Sequence, residues 1–161
     1  MDLRIRRATG ADAEQIARYN AAMALETEHL ELDHQRLLPG VKAVLADPSK
    51  GFYLVAEAEG GVAGQMMITY EWSDWRNGVF WWIQSVYVEP ARRRRGVFRS
   101  LYLYALQQAR AAADVCGLRL YVEAGNEAAR RTYEELGMAK TAYEMFEVDF
   151  VIRREPGKKK S

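Results

Sequence analysis

The sequence predicts an α/β fold in which a mixed, mostly antiparallel twisted sheet of six to seven strands carries helices on both faces. Three observations predict it. A hairpin and a further strand between Phe52 and Val88 have the composition and spacing of a meander. Two helical stripes precede them, and a strand-helix-strand unit follows, ending near Glu123.

Leu3 to Arg6 alternates apolar and charged residues, the period of a half-buried strand, and Thr9-Gly10-Ala11-Asp12 resembles a helix capping box. Ile16, Asn20, Met23 and Ala24 then fall at helical spacing. The acids Glu26, Glu28, Glu31 and Asp33 interrupt that pattern and are read as a loop. Leu38, Val41, Val44 and Leu45 form the next helical stripe, with Pro39 near its first turn and Asp47-Pro48 ending it. Phe52–Glu57 and Val62–Trp72 are strands joined by the turn Glu59-Gly60-Gly61, and Val79–Val88 is the third of the meander. A helix over Gly96 to Ala113, a strand over Leu118 to Glu123, a short helix over Asn126 to Leu136 closed by Gly137, and a last strand marked by Phe146, Val148 and Phe150 complete the order.

A chain of 161 residues suits one domain, taken as residues 1–152, with 153–161 a disordered basic tail. Hydrophobic residues at 49% exclude intrinsic disorder, and a net charge of +1 gives no global pull towards nucleic acid or an anionic membrane. The single Cys116 has no partner for a disulfide or a metal pair, and the charged amino terminus lacks the apolar core of a signal peptide. A cytoplasmic protein without a metal is expected. His29 and His34 lie among acids but match no ligand spacing.

Two segments carry chemistry. Val86 to Arg99 runs from a strand end, through Arg92-Arg93-Arg94-Arg95-Gly96, into a helix start. Unpaired N–H groups in a first helical turn, with the positive end of the helix dipole, attract phosphate oxygens. A bare basic run would read as a solvated face or a nucleic-acid patch, but its place between a strand and an amphipathic helix favours anion binding. The second segment, Glu123 to Met138, sets Asn126 and Tyr133 seven residues apart on one helical face, where an amide and a phenol can address one extended ligand. Singly, Asn126 is better read as a helix cap and Tyr133 as a buried aromatic.

Together the two segments resemble motifs A and B of the GNAT acetyltransferases, over essentially Leu3 to Phe150. Arg93 to Phe98 is similar to [QR]-x-x-G-x-[GA], with Phe98 in place of the final small residue and Arg94 where many members carry a further Gly. Asn126 to Met138 is similar to N-x-x-A-x-x-x-Y-x-x-x-G-[FM] at every named position. The resemblance implies acetyl-CoA as donor and an amine as acceptor, with no nucleic acid or membrane partner; a homodimer is one assembly open to it. It implies donor contacts from Val86, Tyr87, Val88, Arg93, Arg94, Arg95, Gly96, Val97, Phe98, Arg99, Asn126, Ala129 and Tyr133.

The same resemblance implies that the strand Gln84–Val88 splays from its neighbour, that pantetheine pairs with the backbone of Val86 and Val88, and that Tyr133 protonates the leaving thiolate. Gln84 stands where many relatives carry Glu, so the proton of the attacking amine passes to a water held by Gln84 or to Glu26, Glu71 or Glu123. Glu26, Glu28, Glu71 and Trp72 are candidate acceptor contacts, which favours a cationic, polyamine-like amine. Two alternatives stand beside this reading: a CoA-binding regulatory module without turnover, and nucleic-acid binding through Arg92–Arg95 and the Lys158–Lys160 tail.

Overall fold

A computed structural model describes residues 1–152. The chain divides into two compact units, Met1–Tyr121 and Val122–Ser161. The first contains one five-stranded sheet in chain order, built from β1 (Arg4–Arg7), β2 (Phe52–Ala58), β3 (Gly61–Ser73), β4 (Gly78–Val88) and β5 (Val115–Arg119). Every neighbouring pair is antiparallel except β4 with β5, which is parallel. The parallel step requires a crossover, and α3 (Val97–Ala111) supplies it.

Helices cover both faces. Ala13, Ile16 and Ala17 of α1 (Ala13–Glu28) and Val41 of α2 (His34–Ala46) pack on Tyr53 and Val55 of β2. On the opposite face Gly64 lies under Val97, the first residue of α3: a Cβ at Gly64 would stand 2.9 Å from Val97 Cγ1 and from the Tyr87 carbonyl oxygen. Only glycine lets the start of α3 approach the sheet so closely. Leu101 and Ala105, both fully buried, continue this apolar stripe along α3.

The entry to α1 is fixed by charge. Both Arg6 terminal nitrogens donate to Asp12, at 2.8 and 2.9 Å, and the Asp12 carboxylate also accepts the Thr9 N–H at 2.7 Å. This reciprocal arrangement is what Thr9 and Asp12 announced in the sequence.

Several expectations are corrected. The mixed α/β class holds, but among the described residues the sheet has five strands in place of six to seven. Its fifth strand is Val115–Arg119, earlier than Leu118–Glu123, because pairing with β4 rather than local β propensity decides it. Phe146, Val148 and Phe150 form no strand, and all three side chains are exposed. Their alternation is a strand pattern that finds no ladder among the described residues. α2 begins at His34, four residues before Leu38, because the Asp33 carboxylate caps it by accepting the Gln35 N–H at 2.9 Å. Pro39 therefore sits inside the helix. Glu26 and Glu28 belong to the last turn of α1, so only Glu31 and Asp33 of the acidic run lie in a loop.

The described part of the second unit holds α4 (Glu127–Glu135), with Gly137 at φ 88° just beyond it. The tail expected to be disordered, residues 153–161, lies outside the described residues.

Candidate active site

The site begins where the ladder between two parallel strands ends. The ladder between β4 and β5 ends at Trp82 with Arg119, and beyond it Ile83, Gln84, Tyr87 and Val88 pair with β3 alone. In that stretch Gln65 of β3 pairs with Tyr87 and Met67 with Gln84, which puts one extra residue on β4. Ser85 absorbs it at φ 48°, a left-handed conformation rare for a side chain other than glycine, asparagine or aspartate. Gln84 stands just before the bulge, its amide donating to Thr69 Oγ1 at 2.6 Å. Val86 and Val88 are half-buried beyond it, and Tyr87 is buried.

Beyond β4 the turn Pro90–Arg92 leads into the basic loop. Arg94 at φ 62° and Gly96 at φ 79° are left-handed, and α3 starts at Val97. Such reversals of hand turn successive N–H groups to one side, and the first turn of α3 adds donors without intrahelical acceptors. A Cβ at Gly96 would touch nothing within 4 Å, so the loop is open there and its glycine is required by backbone conformation.

The arginines divide their tasks. Arg93 turns inward: its Nε donates to the Val88 carbonyl at 2.9 Å and a terminal nitrogen to Glu26 at 2.7 Å. Glu26 accepts the Tyr87 hydroxyl on its other oxygen at 2.9 Å. Arg93, then Tyr87, hold the Glu26 carboxyl below its ordinary value. Arg92 is braced by Glu89 and by the Glu59 carbonyl. Arg94, Arg95 and Arg99 are exposed and, among the described residues, make no ion pair or hydrogen bond. Sequence reasoning assigned Arg93 through Arg95 one role. The structure makes Arg93 a brace and leaves the outer arginines as charge around the loop. Phe98 is half-buried, its ring centroid 6.2 Å from that of Tyr102 one turn along α3.

The acids expected to meet an acceptor are largely engaged. Glu71 accepts Trp82 Nε1 at 2.5 Å and Arg119 at 2.8 Å, and the Arg119 guanidinium lies 3.6 Å from the centre of the Phe80 ring. Gly117 makes room for that ring, because a Cβ there would stand 2.6 Å from it. Glu28, Glu123 and Trp72 are exposed. In the second unit the Asn126 side-chain oxygen caps α4 by accepting the Ala129 N–H at 3.1 Å. Tyr133 is half-buried further along α4, and burial raises its phenol above the ordinary value. Among the described residues no group of three or more His, Cys, Asp or Glu side chains is placed to hold a metal, and no helix is long and apolar enough to cross a membrane.

Sequence reasoning missed Ser85, Thr69 and Gln65. Only Gln65 left a signal, a lone amide inside the apolar run Val62–Ile68.

A strand edge left open where a parallel ladder ends, a bulge on that edge and a basic loop with two left-handed residues at a helix start together suit an extended anionic ligand. The chain belongs to the acetyltransferase (GNAT) family, whose model matches residues 15–138. It is similar to a possible acetyltransferase from Clostridium difficile 630, at 45% identity and a TM-score of 0.85, over 93% of this chain and 99% of that one. A predicted acetyltransferase from Clostridium acetobutylicum, solved with acetyl-CoA, has the same fold at 17% identity and a TM-score of 0.74, over 92% and 96% of the two chains. Mycothiol acetyltransferase from Gordonia bronchialis is 30% identical over 134 residues, 83% of this chain. The chain spans 42% of the length of that curated relative.

Proposed function

We propose that this protein is an N-acetyltransferase that moves the acetyl group of acetyl-CoA to a primary amine of a small molecule or peptide, by direct attack in a ternary complex. The observation that carries this reading is the conjunction, within one unit, of the loop Arg93–Gly96, left-handed at Arg94 and Gly96, with the β4 edge beyond Trp82. The residues fit the donor: open backbone at Gly96 and the first turn of α3 suit a diphosphate, with Arg94, Arg95 and Arg99 adding charge. Val86 and Val88 offer backbone groups to a pantetheine arm, and Asn126, Ala129 and Tyr133 are the further contacts this reading assigns. Acetyl-CoA supplies the activated acyl group.

Three tasks fall to the chain. A backbone N–H at the β4 bulge polarises the thioester carbonyl, a contribution of about 3 kcal/mol when such a donor is lost. Gln84 cannot accept a proton, but with its Nε2 on Thr69 its oxygen is left to orient a water that receives the proton of the amine. Tyr133, whose half-buried phenol stays protonated at neutral pH, protonates the departing thiolate.

Glu26 and Glu71 already answer Arg93 and Arg119, so they give no support to a cationic acceptor, and the reading requires only its amine. Residues 1–152 act as one acetyltransferase domain, in the cytoplasm, where a lone cysteine suits the reducing conditions. The amide at position 84 favours a second reading, a CoA-binding module without turnover. An amine panel incubated with acetyl-CoA, followed by mass spectrometry and thiol release, decides between them. Acetylated amine with stoichiometric free CoA is expected, and CoA binding without any acetylated product overturns the first reading.

A further inference from the structure

Gln65 is fully buried, the largest polar side chain so enclosed in the first unit, and it lies against the β4 bulge. Its amide nitrogen donates to Asn20 Oδ1 at 2.7 Å and to the Ser85 carbonyl at 3.3 Å. Asn20 in turn donates to the Tyr53 hydroxyl at 3.4 Å. The chain of amides thus ties α1, β2, β3 and β4 together at one point. Its polarity is forced, because a backbone carbonyl can only accept, so Gln65 must turn its NH2 towards Ser85. The Gln65 oxygen has no hydrogen-bond partner among the described residues.

Burying an amide with an unpaired oxygen is costly, and an apolar side chain at this position would pack against the α1 face without that cost. The tie to Ser85 is what the amide provides. The Ser85 carbonyl and the Val86 N–H belong to one planar trans peptide and point in opposite directions. With the carbonyl drawn towards Gln65 on β3, the Val86 N–H is turned away from β3, towards the edge of β4 that lies beyond the end of the β5 ladder. Ser85 is itself held at a left-handed φ of 48°, a conformation that needs outside support to persist.

We propose that Gln65, backed by Asn20 and Tyr53, is a positioning residue that holds the Ser85–Val86 peptide so that the Val86 N–H is presented to the thioester carbonyl. This rests on the acetyl-transfer reading above. Gln65 touches neither donor nor acceptor, and acts only through the backbone of the bulge.

The test uses the full chain with Gln65→Met, which keeps length and removes both donors, and Tyr53→Phe, which removes only the far hydroxyl. Steady-state kinetics are read together with the infrared band of bound acetyl-CoA carrying a 13C-labelled acetyl carbonyl. Gln65→Met is expected to lower kcat about 10- to 100-fold, with KM for acetyl-CoA within about twofold, and to return the carbonyl band towards its frequency in free acetyl-CoA. Tyr53→Phe should move both readouts the same way by a smaller amount, and it carries the test if Gln65→Met does not fold. An unchanged kcat and band, or a loss that lies wholly in KM, overturns the proposal. Wild-type protein that binds acetyl-CoA but acetylates no amine sinks the transfer reading alone, and the band still decides on Gln65. Wild-type protein showing no bound band overturns both.

Discussion

Alanine at Gly96 and alanine at Gly40 should change stability in opposite directions. Neither position has an atom within 4 Å of an added Cβ, so packing contributes nothing to either variant. Gly96 sits at φ 79°, where an L side chain costs about 1–2 kcal/mol. Gly40 lies inside α2, where alanine gains about 0.5–1 kcal/mol by restricting the unfolded chain. A domain of this size shifts by about 2–4 °C per kcal/mol, so Gly96→Ala should melt roughly 3–6 °C below wild type and Gly40→Ala about 2 °C above it. Calorimetric titration with CoA completes the measurement. If the loop of the Gly96→Ala variant relaxes to negative φ, binding must rebuild the cradle, and affinity falls up to about tenfold for each 1.4 kcal/mol not already lost from stability. Stability loss and affinity loss for Gly96→Ala should therefore sum to about 1–2 kcal/mol. Melting shifts of the same sign for the two alanines, or wild-type stability and affinity in Gly96→Ala, would refute a left-handed requirement at this position.

Further outcomes follow from other contacts. Asp12→Ala removes the acceptor for Arg6 and for the Thr9 N–H, and should cost about 2 kcal/mol in denaturant unfolding. Arg6, and then Thr9, hold the Asp12 carboxyl below its ordinary value, so its contribution is complete above the unfolded carboxyl range. The gap between variant and wild type should then close as pH falls below about 4. Gly117→Ala forces a Cβ to 2.6 Å from the Phe80 ring and should destabilise by about 1–3 kcal/mol in the same assay. Tyr133→Phe should lower kcat by about 10²- to 10⁴-fold with little change in the KM for acetyl-CoA. Because burial raises that phenol, the wild-type rate should not decline from its ionisation until above about pH 10.

The elements legible in the sequence were those whose patterns agree with their tertiary partners. Phe52–Ala58 is an apolar run that does pair with Gly61–Ser73, and Gly60 and Gly61 take the positive φ values the turn needs. Val97, Leu101 and Ala105 recur at the spacing of the buried stripe they form. The fifth strand was misplaced because Tyr121 and Val122 have strong local β propensity, whereas the parallel ladder with β4 takes Val115–Arg119. The same limit produced a strand over Phe146–Phe150, where alternation alone cannot supply a partner.

Within the site, the basic loop was legible because Gly96 marks a left-handed turn before a helix. The bulge was not, since Ser85 is an ordinary strand residue whose conformation is imposed by the mismatch between β3 and β4. Nor could the sequence divide the arginines. Arg93 becomes a brace only because α1 runs two turns beyond Asn20, far enough to bring Glu26 beside it.

The claim on which the rest depends is that the loop before α3 holds a phosphate group of the donor. Titration calorimetry comparing 4′-phosphopantetheine with pantetheine isolates that contact, since the two differ only by the phosphate. Charge-assisted bonds of about 1.5–3 kcal/mol predict that the phosphorylated compound binds at least about tenfold more tightly, and that Gly96→Ala narrows the difference. Equal affinity of the two compounds for the wild-type protein would contradict the account.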